Sequence, residues 1–368
     1  MTGLYIHVPF CRSKCNYCDF YSVRPDDGVA ELYIQAVLKA AEPYRNEKID
    51  TVYFGGGNPL LLGAENLCQL LNGLGGIFQL EPNSEITLEA NPEDVTPEAM
   101  KMLFEGGFSR ISIGIQSLDD AVLKTLGRRH DSKQAVKAVE TAFSAGFRHI
   151  SADMMLSLPD ASPEKDGETA KKLCKLPLDH ISAYMLKVEQ GTSFARMNLN
   201  LPDEDSTADS YLAVCKAFEE NSFAQYEISN FAKPGGKSRH NLKYWTLSPY
   251  IGLGPAAHSF YGGKRFYYPR DLAGFLKNPR KTVDDGEGGN AEEKIAMALR
   301  LTDGIALDEL KRLIGEKGMT NLERPIHDWV KNGLAAEKSG RFALTPKGFL
   351  VSNSLISRVL LELDEVQQ

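Results

Sequence analysis

The stretch Cys11-Arg12-Ser13-Lys14-Cys15-Asn16-Tyr17-Cys18 places three thiols on one short loop. A strand-like stretch, Leu4-Tyr5-Ile6-His7-Val8, leads into it through the turn Pro9-Phe10. Three sulfurs on one loop can bind three irons of a cuboidal iron-sulfur cluster, which usually takes one thiolate at each of four irons. The fourth iron is then open to a ligand that is not protein. We therefore predict a [4Fe-4S] cluster on Cys11, Cys15 and Cys18.

The remaining cysteines, Cys68, Cys174 and Cys215, stand singly inside apolar or amphipathic runs. A free cysteine in such a run more often packs as a small hydrophobic residue. A structural zinc site on the three loop cysteines and His7 is the alternative, because three sulfurs and one imidazole do bind zinc. The spacing disfavours zinc, since structural zinc sites typically use two separated ligand pairs.

Composition indicates an ordinary globular protein. The chain has 368 residues, 42% of them apolar, which is enough for one large α/β domain and a smaller one. Its 42 basic and 49 acidic residues give a formal net charge of −7, which provides no general attraction to nucleic acid or to anionic membranes. No apolar run approaches the roughly 18 residues of a membrane span, and no secretory pattern opens the chain. Reducing conditions suit clustered thiolates, so we expect a cytoplasmic protein without a nucleic-acid partner.

Strand-like and helix-like stretches alternate through residue 190. Six such repeats predict a parallel, barrel-like sheet, because apolar residues at helical spacing separate the strands. The predicted strands cover residues 4–8, 51–54, 85–90, 110–115, 149–156 and 180–186. Gly55-Gly56-Gly57-Asn58-Pro59 follows the second strand. Its glycines would let a ligand approach the backbone, and Asn58 and Pro59 predict the N-cap and first residue of a helix over 64–78.

Polar residues stand at the carboxyl ends of the predicted strands, where parallel sheets bind ligands. Glu89 closes the third strand, Gln116 follows the fourth, and Asp153 lies inside the fifth. Each has a structural explanation when it is considered alone. Glu89 and Gln116 would cap turns, and Asp153 would need a salt bridge because a buried unpaired charge is costly. Their convergence on one rim predicts a ligand site.

The pattern Cys-x3-Cys-x2-Cys resembles that of the radical S-adenosylmethionine (SAM) superfamily, in which the amino and carboxylate groups of SAM chelate the open iron. The preceding Tyr5-Ile6-His7-Val8-Pro9-Phe10 narrows the resemblance to the coproporphyrinogen dehydrogenase-like branch. The resemblance extends over nearly the whole chain. It implies an α/β fold, a partial (β/α)6 TIM-like radical SAM barrel over residues 1–190, with a [4Fe-4S] cluster and SAM as cofactors.

In similar proteins the glycine loop binds the amino group of SAM. The resemblance implies SAM contacts from Tyr5, Tyr17, Gly56, Gly57, Asn58, Glu89, Gln116, Arg128 and Asp153. Two positions depart from the family pattern. Asn58 stands where the family usually has Thr, and Leu156-Ser157 stands where it has Tyr-Gly. Because Asn58 keeps a polar side chain that can hydrogen-bond, we expect SAM binding to survive.

Residues 191–285 are predicted to extend the barrel, beginning with an amphipathic helix over 205–220. This segment contains His240-Asn241-Leu242-Lys243-Tyr244-Trp245. An imidazole near two aromatic side chains would suit a flat macrocycle whose iron takes a histidine ligand, although aromatic residues usually fill cores. The pattern His-Asn-x-x-Tyr-Trp resembles a signature of HemW-type heme chaperones. It implies a heme site on His240, Tyr244 and Trp245, with His7 and His258 as alternative iron ligands.

The polar, glycine-rich residues 284–290 predict a linker or an exposed loop. Beyond it, residues 291–368 resemble the small winged-helix-like domain that follows the family's barrel. Helices are predicted over 293–301, 307–313, 322–332 and 347–363, and strands over 334–337 and 341–344. A helix-turn-helix unit is not obliged to bind DNA, and this segment has no arginine-rich recognition helix and no basic surplus.

Two functions share this barrel and cluster. One is a heme chaperone that delivers heme to apo-proteins; the other is oxygen-independent coproporphyrinogen III dehydrogenase, which oxidatively decarboxylates propionates with SAM-derived radicals. Members that resemble the dehydrogenase carry a further cysteine two residues after the third ligand, whereas this chain has Phe20. The resemblance therefore favours the chaperone. Its implied partners are heme-accepting apo-proteins, with respiratory hemoproteins and transient contacts to membrane proteins as candidates. A winged-helix regulator with a metal-stabilised barrel is the least favoured alternative, and the oligomeric state stays open.

Overall fold

Six parallel strands form the centre of a twelve-stranded sheet in the computed structural model, which describes residues 1–364. Elements are numbered in chain order. The parallel strands are β1 (Thr2–Val8), β2 (Lys48–Gly56), β3 (Gln79–Ala90), β4 (Arg110–Gln116), β5 (His149–Leu156) and β6 (His180–Met185). Each pairs with the next in parallel. The α/β class and the partial barrel predicted from the sequence are confirmed.

In the described part of the chain, six α-helices connect the parallel strands, and a seventh follows β6. They are α1 (Val29–Ala41), α2 (Ala64–Gly75), α3 (Pro97–Glu105), α4 (Asp120–Thr125), α5 (Ser132–Ser144), α6 (Pro163–Cys174) and α7 (Glu204–Glu220). Several begin where a side-chain oxygen accepts a backbone N–H of the first turn, as Asp131 does for α5. Their apolar stripes cover the sheet, and Val37, Leu70 and Val139 are fully buried there.

The segment after the glycine loop differs from the sequence prediction. Pro59–Leu62 forms a short 3-10 turn, and α2 begins only at Ala64, after Gly63 at φ +87°. The Asn58 side chain caps neither element and instead donates a hydrogen bond to Asp94 Oδ2 at 2.6 Å. The predicted N-cap of this helix is therefore wrong, because α2 takes its N-cap from Gly63. Asn58 stands before the 3-10 turn, where its Oδ1 accepts no hydrogen bond among the residues described.

Short strands extend the sheet at both ends. On the β6 side lie β8 (Asn230–Ala232) and β7 (Ala224–Gln225), both antiparallel to their neighbours. On the β1 side, β9 (Tyr250–Leu253) pairs in parallel with β1 and is followed by β10 (His258–Tyr261), β11 (Lys264–Tyr267) and β12 (Val283–Glu287). In chain order, helix α8 (Arg239–Trp245) lies between β8 and β9, and helix α9 (Leu272–Lys277) lies between β11 and β12. The loop predicted over residues 284–290 is thus partly wrong, since β12 pairs with β11 through the predicted boundary at residue 285.

A small mixed unit completes the chain. It contains α10 (Ala291–Ala298), β13 (Ile305–Ala306), α11 (Leu307–Lys331), β14 (Ala335–Lys338), β15 (Arg341–Leu344), α12 (Pro346–Phe349) and α13 (Ser352–Asp364). A kink at Gly315, where φ is +74°, divides α11 into two helical parts, so the second begins earlier than predicted. The three strands form the sheet β13-β15-β14, as expected for a winged-helix-like domain. Within residues 1–364 no helix is long and apolar enough to cross a membrane.

Candidate functional site

A cavity of about 560 Å³ occupies the inside of the barrel. The cysteine loop lines it at the carboxyl ends of the strands, and Ser238 and Asn241 of the α8 segment line it at the opposite end. Between these two ends, the cavity wall consists of side chains that point inward from β2 to β6. The cavity lies where parallel barrels place their ligands, because inward side chains and strand ends converge there.

The three loop cysteines line this cavity together, and all three thiols are free. Distant parts of the chain hold the loop in place. The backbone N–H of Asn16 donates to the carbonyl of Leu126 at 3.0 Å, and that of Phe194 donates to the carbonyl of Asn16 at 2.9 Å. Arg128 Nη1 lies 3.5 Å from Cys15 Sγ, where its charge favours a thiolate. Burial raises the pKa of the Cys11 thiol and raises that of Cys18 to about 11.

These thiols fit a cuboidal cluster better than a single ion. Among the residues described, no three His, Cys, Asp or Glu side chains lie close enough together to hold one metal ion, whereas a cluster needs only one thiolate per iron. The zinc alternative also needs a free nitrogen on His7. That ring is 4% exposed, and its Nδ1 and Nε2 hydrogen-bond to Tyr5 Oη and to the carbonyl of Tyr21, both at 3.0 Å.

Most of the residues predicted to contact SAM line the same cavity. They are Tyr17, Gly56, Gly57, Glu89, Gln116, Arg128 and Asp153. Arg128 is held by Asn91 Oδ1 at 2.8 Å and by the carbonyl of Gly114 at 2.7 Å. Gln116 has φ +66°, a left-handed conformation that ends β4. The barrel thus brings together residues that are far apart in the sequence, although their contacts with SAM stay a prediction.

Two carboxylates face the inside of this cavity. Glu89 accepts hydrogen bonds from Tyr53 Oη at 2.7 Å and from the backbone N–H of Gly56 at 3.0 Å, and Asp153 accepts one from Ser112 Oγ at 3.1 Å. Burial raises the pKa of Glu89 to about 7 and that of Asp153 to about 6. Neither makes an ion pair within residues 1–364. A cationic ligand would therefore relieve the cost of two desolvated negative charges.

Tyr5 and Asn58 do not lie in the cavity wall. Tyr5 Oη is engaged with His7, and Asn58 is 2% exposed and engaged with Asp94. In this arrangement, direct contact of either side chain with SAM is not supported. The glycines of the loop after β2 also have a packing role that the sequence did not indicate. A Cβ on Gly56 would lie 2.4 Å from the His7 ring, and a Cβ on Gly57 would lie 2.6 Å from the carbonyl oxygen of Phe10. Packing against β1 and the turn after it therefore requires glycine here.

Both the barrel and the C-terminal unit of the chain match known protein families. Residues 5–173 match the model of the radical SAM superfamily, and residues 290–351 match the HemN C-terminal domain. A heme chaperone HemW from Mycobacterium tuberculosis is 34% identical over 97% of this chain and 94% of its own length. One from Bacillus subtilis is 32% identical over 99% of this chain and 100% of its own length.

The chain belongs to the HemW family of radical SAM proteins. Membership in this superfamily implies a [4Fe-4S] cluster and SAM as cofactors, and the three free thiols and two unpaired carboxylates described above fit both. The structure of coproporphyrinogen III oxidase (HemN) from Escherichia coli, described as a radical SAM enzyme, superimposes with a TM-score of 0.81. It covers 99% of this chain and 90% of its own at 19% identity, which establishes the shared fold.

The histidine of the HemW-like signature on α8 is a buried structural residue. His240 is fully buried; its Nδ1 hydrogen-bonds to Thr51 Oγ1 at 2.8 Å and its Nε2 to Tyr244 Oη at 2.9 Å. Its ring stacks on Tyr53 with the centroids 5.2 Å apart, and burial lowers its pKa to about 3. Neither ring nitrogen is free to bind iron, so heme ligation by His240 would require one of these hydrogen bonds to break. The sequence prediction of a heme site on His240, Tyr244 and Trp245 is therefore not supported by this arrangement.

His7 and His258, the two alternative iron ligands, differ in whether their ring nitrogens are hydrogen-bonded. His7 is engaged through both ring nitrogens, as described above. His258 is exposed on β10 and stacks on Tyr267 with the centroids 5.0 Å apart, and its ring nitrogens have no hydrogen-bond partner in the part of the chain described. Of the three histidines considered from the sequence, His258 alone is free to bind a metal in this structure.

Sequence reasoning missed much of the cavity wall. Stepping back by two or four residues along the strands from Glu89, Gln116 and Asp153 gives Thr87, Ser112 and Ser151, all of which line the cavity. Alternate residues of β6, His180, Ser182 and Tyr184, line it as well, although no site residue was predicted on that strand. Because alternate side chains of a strand share one face, this spacing was the available signal. The strand ends form the rim of the cavity, whereas alternate residues inside the strands form its wall.

Proposed function

We propose that the chain is a heme chaperone, which binds heme, a [4Fe-4S] cluster and SAM and transfers heme to apo-proteins. The observation that carries this proposal is the likeness, over nearly the whole chain, to relatives named heme chaperones. In this proposal the cluster binds to Cys11, Cys15 and Cys18, and SAM binds beside Gly56, Gly57 and the two cavity carboxylates. The acceptors are apo-hemoproteins in the cytoplasm or at the membrane surface.

Phe20 supports the chaperone over the dehydrogenase. Its side chain lines the cavity next to the cluster loop and is 65% exposed. The dehydrogenases that the sequence resembles have a cysteine at this position. A phenyl ring provides neither a thiol nor a proton donor, so this chain lacks a group that the enzyme would present beside the cluster. The three cluster thiols are the only sulfhydryls among the residues that line this cavity.

The oxygen-independent coproporphyrinogen III dehydrogenase remains the second candidate. The overall likeness to HemN favours it, since the whole barrel and the C-terminal unit superimpose. That likeness shows a shared fold, and one fold supports different activities. The two functions predict different products from the same reconstituted protein.

Parallel assays on one anaerobically reconstituted preparation test the proposal. With SAM and a reductant, coproporphyrinogen III should stay unconverted, while added heme should bind and then move to an apo-hemoprotein such as apo-myoglobin. Phe20→Cys is the matched variant, because it restores the missing thiol and leaves the barrel unchanged. Rapid protoporphyrinogen formation by the unaltered chain would overturn the chaperone proposal. Absence of heme binding would overturn it as well.

A further inference from the structure

A second cavity lies at the opposite end of the barrel from the cysteine loop. Its volume is about 830 Å³, within the roughly 300–1,000 Å³ typical of small-molecule sites. The amino-terminal ends of β3, β4 and β5 form one side, and residues 222–239 form the other. No motif in the sequence pointed to it, because parallel barrels usually bind ligands at the other end.

His149, the first residue of β5, lines this cavity with its side chain 48% exposed. Its Nδ1 lies 2.6 Å from Asp179 Oδ2. A carboxylate oxygen only accepts hydrogen bonds, so Nδ1 carries the proton and the neutral ring presents its lone pair on Nε2. Within residues 1–364, Nε2 has no hydrogen-bond partner. Metal-ligating histidines commonly have this arrangement, with the second nitrogen donating to a carboxylate.

The carboxylate behind His149 is itself held in place. Asp179 Oδ1 accepts the backbone N–H of Ile150 at 2.9 Å and lies 3.9 Å from Arg110 Nη1. The Arg110 side chain is 3% exposed, and its Nη1 has no hydrogen-bond partner among the residues described. The imidazole is therefore oriented by a fixed partner and not by a freely rotating one.

Two lysines in the same cavity lack carboxylate partners. Lys233 Nζ lies 4.7 Å from the centroid of the Phe223 ring, and Lys237 Nζ lies 5.6 Å from that of Tyr226. Neither makes an ion pair within the described range. Both lysines lie on one loop, which turns at Gly235. The loop places two positive charges without carboxylate partners beside an apolar wall formed by Leu80, Pro82 and Ile86.

We propose that heme binds in this second cavity, with His149 Nε2 as an iron ligand and Lys233 and Lys237 pairing with the propionates. The inference rests on the proposed heme-chaperone function and assigns the site within it. A free imidazole, two unpaired cations and an apolar wall match the iron, the two carboxylates and the macrocycle of heme. The cations beside His258, by contrast, make ion pairs: Arg265 pairs with Glu293, and Arg270 pairs with Asp19.

The signature on α8 has a structural role in the proposed heme site. Arg239, the first residue of α8, lines the second cavity, and the next residue is the buried His240. The backbone N–H groups of Arg239 and His240 donate to Glu85 at 3.1 and 3.0 Å, and Glu85 also lines this cavity. The signature therefore positions one wall of the proposed heme site without contacting the iron.

Heme titration of the full chain, followed by Soret difference spectra, tests the iron ligand. His149→Ala should raise the dissociation constant by about tenfold or more, and added imidazole should restore the spectrum. Asp179→Asn should lower the frequency of the ferrous iron-histidine stretching band, because a neutral amide makes imidazole a weaker electron donor. His258→Ala and His327→Ala are matched controls, since both remove an exposed histidine elsewhere, and both should leave heme binding unchanged.

Heme dimethyl ester tests the propionate contacts. The double variant Lys233→Gln, Lys237→Gln should weaken heme binding by about tenfold or more and leave binding of the ester unchanged. If the unaltered chain binds no heme, both the function and this site are overturned. If it binds heme and His149→Ala or the more conservative His149→Gln binds it with the same spectrum and affinity, the site alone is overturned and the function stands.

Discussion

Asn58 Nδ2 donates a hydrogen bond to Asp94 Oδ2 at 2.6 Å, and through it the glycine loop is fastened to the cysteine loop. The other oxygen of Asp94 accepts from Arg12 Nη2 at 2.8 Å, and Arg12 lies between the first two cluster cysteines. One carboxylate therefore bridges the two segments that must stay aligned for SAM to contact the cluster. The asparagine that departs from the family pattern acts in positioning these loops.

Removal of the Asn58 amide should loosen this bridge. Asn58→Ala leaves a nearly buried carboxylate oxygen without its donor, so the free energy of unfolding should fall by about 1–2 kcal/mol. Urea denaturation at neutral pH measures the change. Arg12→Ala is the matched control on the same carboxylate; its side chain is 54% exposed, so the loss should stay below about 1 kcal/mol. Equal losses from both variants would contradict the bridging role of Asn58.

Each cluster cysteine should be required for the [4Fe-4S] cluster. Cys11→Ala, Cys15→Ala and Cys18→Ala should each abolish the visible absorbance of the reconstituted cluster, because no other thiol lines this cavity among the residues described. Iron and sulfide analysis checks the result. Cys174→Ala, which removes a thiol from α6, should retain four irons per chain as in the unaltered protein. Four irons in Cys15→Ala would disprove the assignment.

Glu89 should contribute charge to SAM binding without contributing to the cluster. Glu89→Gln keeps the size of the side chain and removes the negative charge, so SAM affinity should fall by about tenfold, while iron content stays the same. Isothermal titration calorimetry on reconstituted protein provides the measurement. An unchanged affinity would refute the role given to Glu89.

Asp153 should destabilise the cofactor-free fold at neutral pH. Its folded pKa is raised from 3.8 to about 6, so the folded state binds the proton more tightly than the unfolded chain. The destabilisation is absent below pH ~3.8, develops as pH rises toward ~6 and is complete above that value. Asp153→Asn should therefore raise the free energy of unfolding by up to about 2 kcal/mol at pH ~8 and change it little at pH ~4. A pH-independent effect in urea titrations would rule out this explanation.

Ser157 should lower the stability of the fold. It has φ +57° and is 6% exposed, and its hydroxyl has no hydrogen-bond partner within residues 1–364. Ser157→Gly removes both the strained conformation and the unpaired hydroxyl, so thermal unfolding should show a gain of about 1 kcal/mol. Ser157→Ala separates the two causes, because it removes only the hydroxyl. Equal stability of Ser157→Gly and the unaltered chain would contradict the strain.

Periodicity and turn chemistry were sufficient to predict the barrel. The amphipathic helix predicted over residues 205–220 is α7, Glu204–Glu220, since its cap and apolar stripe are local properties of the sequence. The edge strand β12 was missed because Val283–Glu287 is polar and mostly exposed. Its pairing with β11 is made through the backbone, and side-chain pattern does not report it.

The candidate site was predictable only in part, for a similar reason. Residues at strand ends, such as Glu89 and Gln116, were found because barrel geometry brings the ends of its strands together. The burial of His240 was not predictable, since its partner Thr51 is 189 residues away in the chain. The same holds for Asn58 and Asp94, whose contact depends on how two loops pack.

The pairing of β1 with β9 affects when the cysteine loop becomes fully folded during synthesis of the chain. β1 and the cysteine loop are synthesised long before β9, so β1 lacks its second neighbour until Tyr250–Leu253 has been made. The Tyr21 hydroxyl likewise lacks the backbone N–H of Leu272 until that residue has been made. At roughly 5–20 residues per second, this interval lasts about 10–50 seconds. Throughout it the three thiols stand on an unfinished loop, open to oxidants and to stray metal ions. We therefore expect stable cluster binding only after β9 has joined the sheet, when the contacts that hold the cysteine loop are complete.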